Sequence, residues 1–184
     1  MAHVTVDGVP AEVGEAIRRM LEERGTHDTT VVGAGAFPAK PFLDVTPQDW
    51  EALVAALRTA FGAVREAAHR GDRRVLLISS VPAVRPVHGA SLQATAGAFL
   101  HTLGQVAAVE LGPAGTTANV VAPGFVGDPR FADATPIGRP TSAEDVAEVC
   151  AFLASEAAAG VSGAIVPVDG GFAVTKSEGG SPLA

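Results

Sequence analysis

Apolar positions recur along this chain in two alternating rhythms. Short runs at 3–6 (HVTV), 29–33 (TTVVG), 74–79 (RVLLIS), 116–121 (TTANVV) and 164–168 (AIVPV) read as strands. The run at 74–79 is nearly continuous, as expected where helices cover both faces of a parallel sheet. Between the runs lie stretches with helical spacing. Residues 11–24 stop at Gly25, a good C-terminal cap. Thr46-Pro47-Gln48-Asp49 opens a second helix with a capping residue, a first-turn proline and an acid three on. Its Trp50, Leu53, Val54, Leu57, Phe61 and Val64 predict one buried stripe. A third helix over about 90–111 carries Leu92, Ala96, Phe99, Leu103 and Val106, and Thr141-x-x-Glu144 opens a fourth between the last two strands. Strands alternating with helices predict a doubly wound parallel sheet with right-handed crossovers.

Length and composition narrow the picture. The 184 residues, 47% hydrophobic and 18% charged, suit one soluble domain, here drawn as residues 1–174 with a flexible tail at 175–184. The one cysteine, Cys150, excludes an internal disulfide framework and falls in a helical apolar pattern, where a free thiol packs as a small hydrophobe. A formal charge of −7 argues against nucleic acid, which is bound by neutralising phosphates with Lys and Arg. No apolar run approaches the ~20 residues of a membrane span, so a cytoplasmic protein is expected. The richness in Ala, Gly and Arg points to a high-GC bacterium.

The chemistry-bearing segments carry a family likeness. The run 74–80 (RVLLISS) ends in two serines, Gln93 follows Ser80 by thirteen positions, and Gly97 stands four further on. With PFLDVTPQDW (41–50), TTANVVAPGF (116–125), TSAEDVAEVCAFLAS (141–155) and SGAIVPVDGG (162–171), the chain resembles the short-chain dehydrogenase/reductase family over nearly its whole length. The resemblance implies a Rossmann-like sheet and hydride transfer to or from a nicotinamide, served by a serine, a tyrosine and a lysine. Ser80 matches the serine, but Gln93 stands at the tyrosine, Gly97 at the lysine and Leu57 at a supporting helical asparagine. The chain contains no tyrosine. VDGVPAEVGEAI (6–17) matches the family's first strand, turn and helix, and DTTVVGAG (28–35) its fourth strand. Two strand–helix units, on the order of 50–60 residues, are missing between them. The expected sheet has about five strands, ordered 1-4-5-6-7 in family labels, with the first strand an edge.

These departures set the functional expectations. A positioned tyrosine acid is worth ~10²–10⁴ in rate, and a glutamine amide has no proton to transfer near neutrality. Gly8 and Gly14 keep the outer places of the glycine-rich turn, but Glu12 takes the middle one and Asp128 replaces a threonine after Pro123-Gly124-Phe125-Val126. Two carboxylates facing a pyrophosphate repel it, and the loops that hold adenosine are gone. The sequence therefore predicts no cofactor, neither NAD nor NADP, and no metal, Asp7, Glu12 and Asp128 having no ligand spacing. It predicts a non-redox pseudoenzyme acting as a binding or oligomeric partner subunit. An alternative is a cofactor-independent isomerase, dehydratase or cyclase that uses the old substrate cavity, with Ser80 and Gln93 as donors, His88 as base and a small apolar ligand. A third reading, from resemblance alone, is an NAD(P)-dependent oxidoreductase. The partner expected is a second copy or a full-length relative, because in the family the helices equivalent to 47–70 and 90–111 form a two-fold, four-helix interface. His101 is assigned to a surface or interface.

Overall fold

The computed structural model describes residues 3–175, so the predicted tail beyond Thr175 lies outside the described residues. Five strands, β1 (Val4–Asp7), β2 (Thr29–Gly33), β3 (Arg74–Ile78), β4 (Thr117–Pro123) and β5 (Ile165–Val168), alternate with four helices, α1 (Ala11–Glu23), α2 (Pro47–Arg70), α3 (Ser91–Leu111) and α4 (Ala143–Ala154). All strand pairs are parallel and the order is β1-β2-β3-β4-β5, the Rossmann-like α/β sheet expected, with β1 at one edge. Every residue of β2, β3 and β4 is buried. No helix among the described residues is long and apolar enough to cross a membrane.

The helices form where their caps predict. Thr46 Oγ1 accepts from the Asp49 amide at 3.2 Å while Asp49 accepts from the Thr46 amide at 2.9 Å, closing a reciprocal box at the start of α2. The fourth helix differs by one residue. Its box is Ser142 with Asp145, because Thr141 is drawn away to donate to the Val168 carbonyl at the end of β5. The apolar stripes are also wider than one core uses. Leu53 and Val64 are buried, whereas Trp50, Val54 and Phe61 on α2 and Val106 and Val109 on α3 are exposed.

Two cores sandwich the sheet. One joins α1 and α4 to Val31, Leu76 and Ile78, and the other joins α2 and α3 to Val32, Val75 and Leu77. Ile17 and Leu21 of α1 are fully buried in the first, each stabilising the fold by about 1.5–3 kcal/mol. This arrangement corrects the expected handedness. Strands laid down steadily in one direction with right-handed crossovers would put every helix on one face. Here α1 and α4 share one face and α2 and α3 the other. The first and last crossovers are therefore opposite in hand to the two between them. The link from α1 to β2 is tight, and Asp28 within it takes a left-handed φ of 50°. The 34–42 loop is tied to the turn after β1 by the Gly35 amide on the Gly8 carbonyl, and to the start of α3 by the Lys40 amide on the Gly89 carbonyl and a bridge to Ala90.

That loop is anchored by charge. Lys40 Nζ meets Asp49 Oδ1 and Oδ2 at 2.8 and 2.6 Å, and this ammonium, with the Thr46 amide and hydroxyl, lowers the Asp49 carboxyl to about 2. Because the folded value is depressed, the stabilisation is present above the ordinary carboxylate value and is lost as pH falls through about 2. Asp49→Asn should thus lower the melting temperature at neutral pH and narrow its gap to wild type as pH drops from 4 to 2, followed by circular dichroism. A gap that stays constant with pH would contradict the linkage.

Candidate functional site

The split of helices between two faces makes the cleft. At the carboxyl edge of the sheet, the chain leaves β1 and β4 towards the α1/α4 face and leaves β2 and β3 towards the α2/α3 face. A crevice opens between loops that diverge in this way. It has a volume of about 380 Å³ and takes in the start of α1, the loop after β2, the end of β3 and the turn after β4. Glycine lets its walls approach. Gly8 sits at φ 62°, and a Cβ there would lie 2.3 Å from the Gly33 carbonyl oxygen. The Gly35 amide donates to the Gly8 carbonyl at 2.6 Å, stitching the two loops into a floor.

Ser80 and Gln93 both line this cleft. Gln93 Oε1 accepts from the Phe37 amide at 3.0 Å, which turns its two amide hydrogens towards another acceptor. The Ser80 hydroxyl reaches the Gln93 carbonyl at 3.5 Å, a long contact. Gly97 is not an accidental gap. A Cβ built there would stand 2.5 Å from the Ala83 Cβ and 3.4 Å from Ser80 Oγ, so the short 3-10 turn Val81–Ala83 fills the room a lysine would need. Leu57 is packed against the α2/α3 core. His88 is exposed and does not line the cleft. His101 is half-buried, its Nε2 3.0 Å from Ser79 Oγ, and burial lowers its pKa. Helical spacing assigns it to a surface or interface, and nothing in the sequence joins positions 79 and 101. Cys150 lies wholly in the core, its thiol pushed up to about 12 by burial.

The charges lining the cleft differ from the formal count. Asp128 is gripped by Arg130, whose Nε and Nη2 approach its two oxygens at 2.6–3.1 Å while the Arg130 amide donates to it as well. That guanidinium holds the Asp128 carboxyl below its ordinary range. Arg130 itself lines the cleft. Across from it, α1 begins at Pro10 with no side chain capping its first turn, so its leading N–H groups and dipole face the cleft as an anion-binding end. Glu12 lies in that first turn. The backbone amides opening α1 fit a phosphate of a dinucleotide, whereas the Arg130 guanidinium is already engaged by Asp128. No strand flanks β1 on its outer side among the described residues, so the adenosine half has no matching platform. The opposite wall is apolar. Phe125 stacks on Phe131 at 3.5 Å, and Phe172 meets both edgewise. Arg130 and the phenylalanines could have been flagged from sequence only by their nearness to Pro123-Gly124.

Comparison with known proteins places this geometry. The family model described as Enoyl-(Acyl carrier protein) reductase matches residues 8–173. The chain is 32% identical over 177 residues to the cis-4-hydroxycyclohexanecarboxylate dehydrogenase of Sinomonas cyclohexanicum, covering 87% of this chain and 71% of that one. Its fold is similar to acetoin dehydrogenase YohF of Salmonella typhimurium, with a TM-score of 0.73 and 28% identity over 95% of this chain and 76% of that one. It is also similar to the 3-ketoacyl-(acyl-carrier-protein) reductase of Brucella melitensis, solved as a complex with NADH, with a TM-score of 0.67 and 24% identity over 89% and 74% of the two chains. These findings correct two expectations, that the protein is a non-redox pseudoenzyme and that it takes no nicotinamide cofactor. The relatives are dehydrogenases and reductases, and the same fold carries NADH in the Brucella protein. Of the two carboxylates expected to repel a pyrophosphate, Asp128 is paired with Arg130, while Glu12 stays in the first turn of α1 beside the cleft. From its motifs, its sheet and its relatives, the chain belongs to the short-chain dehydrogenase/reductase family.

Proposed function

We propose that the protein is an oxidoreductase that moves a hydride between a nicotinamide cofactor and a small, largely apolar ketone or secondary alcohol. The reading rests on one arrangement: Ser80 and Gln93 converge on the same cleft as the uncapped start of α1 and Arg130. The bound cofactor supplies the hydride and its electron pair. The amides opening α1 would hold its phosphates, with the Asp128–Arg130 pair, Pro123, Gly124 and Gly35 lining the same cleft. Ser80 Oγ and the Gln93 amide donate to the substrate oxygen and stabilise the negative charge that develops there. Phe37, Pro82, Phe125 and Phe131 exclude water and select an apolar substrate. With neither tyrosine nor lysine at the site, turnover is slower than a positioned phenol would allow, by up to ~10²–10⁴. Two copies pair through the exposed apolar face of α2 and α3 in a two-fold interface.

Titration of NADH and NADPH, followed by cofactor fluorescence, should saturate for at least one of them with a dissociation constant below about 1 mM. Failure of both to saturate would defeat the reading. Arg130→Ala, which leaves Asp128 uncompensated, should weaken that binding several-fold at low salt, and Asp128→Asn should strengthen it. With acetoin as test ketone, Ser80→Ala and Gln93→Ala should each lower kcat/KM by ~10² with little change in melting temperature, and undiminished turnover in both would overturn their assignment. For the pairing, light scattering behind size exclusion should give twice the chain mass, and Trp50→Glu with Val109→Glu should return a monomer. A monomeric wild type at high micromolar concentration would exclude the homodimer, and co-purification with a longer relative would replace it by a heteromer.

A further inference from the structure

Neither Ser80 nor Gln93, the donors assigned to the substrate oxygen, is itself titratable near neutrality, yet one titratable side chain touches the edge of the site. Along β3 alternate residues face alternate cores. Val75 and Leu77 face α2 and α3, and Ser79, next in that series, points the same way at the sheet's carboxyl edge. Ser79 is buried and lines the cleft. Its Oγ lies 3.0 Å from His101 Nε2 and 3.4 Å from the Val121 carbonyl. His101 sits one helical turn beyond Gly97, and helix side chains lean back towards the N-terminus. The imidazole therefore reaches up below the position where the family places its lysine. Half-buried, it touches Ser79 at one nitrogen and keeps an edge near solvent.

We propose that Ser79 and His101 form the proton route of this oxidoreductase, replacing the missing tyrosine and lysine. The inference rests on the oxidoreductase reading, in which reduced nicotinamide is the reductant. As the carbonyl carbon takes up the hydride and its electron pair, the C=O π pair moves onto oxygen. The Ser79 O–H bond breaks as a new O–H bond forms on the substrate. Ser79 Oγ recovers a proton from His101 Nε2, the imidazole takes one from water at Nδ1, and proton exchange with solvent restores the Nε2–H tautomer before the next turnover. The sum is ketone plus hydride plus one solvent proton, giving the alcohol. In the oxidative direction each transfer runs backwards. Burial keeps the ring predominantly neutral near pH 7, the state in which one nitrogen donates while the other accepts. His101 acts through Ser79, so it is a positioning and relay residue, and Ser79 is the group that meets the substrate.

The test uses the full chain and two kinds of readout. In ¹⁵N-histidine-labelled protein without cofactor, Ser79→Ala should move the Nε2 resonance of His101, and an unmoved resonance would overturn the contact. In steady-state reduction of acetoin, His101→Gln, which keeps a hydrogen-bonding group but cannot relay a proton, should lower kcat by at least about tenfold with KM within about twofold. It should also abolish the solvent isotope effect on the proton step. His101→Ala should regain turnover when free imidazole is added, a response that a purely structural role would not produce. Undiminished kcat in both His101 variants, or no rescue by imidazole in a His101→Ala protein that melts like wild type, would overturn the relay. Saturable nicotinamide binding separates the two proposals. Its absence defeats the oxidoreductase reading, whereas its presence together with relay-independent turnover defeats only the proton route.

Discussion

A parallel sheet whose three central strands expose nothing must be roofed on both sides, and that requirement governs the rest of this molecule. With α1 seated against α4 through Ile17 and Leu21, the first helix is fixed to one face. The sheet, reduced to five strands, runs in a single direction. Both conditions hold only if two of the crossovers adopt the disfavoured hand, and burial of the α1 face outweighs that preference. The crevice follows from the same compromise. It exists because neighbouring strands send their chains to opposite faces, not because any loop was shaped to enclose it.

Within the crevice, local compensation replaces the conventional groups. Arg130 offsets Asp128, Ala83 takes the volume left at Gly97, and the Phe37 amide fixes the Gln93 side chain. Each is a short-range contact made across a turn or between a loop and α3. Together they leave an apolar slot with a few oriented donors at one end, the usual composition of a site for a small organic ligand.

Much of this was legible in the sequence, for reasons that can be named. Strand positions followed from unbroken apolar runs, the start of α2 from Thr46 and Asp49, and the strand order from the stretches absent between residues 17 and 28. The fourth helix cap was misread by one residue because two overlapping Ser/Thr-x-x-acid patterns compete, and only the position of β5 decides between them. The charge lining the site was misread because ion pairs are not written in composition: Asp128 and Arg130 are two residues apart, yet a tally of carboxylates passes over the partner. The contact of His101 with Ser79 is hidden in the sequence because a helical period assigns a face but cannot see the strand lying opposite. The hand of the crossovers was hidden for the same reason, since it depends on which helices share a side.

The seat of α1 on α4 also bears on how the chain is made. Glu23 and Ala143 are 120 residues apart, and at about 5–20 residues per second a ribosome needs roughly 6–24 s to deliver the second helix after the first. Throughout that interval Val13, Ile17 and Leu21 have no permanent cover, and β1 and β2 can pair only provisionally. The first core thus closes only when residues far along the chain arrive, so the amino-terminal third carries its apolar face uncovered through most of synthesis.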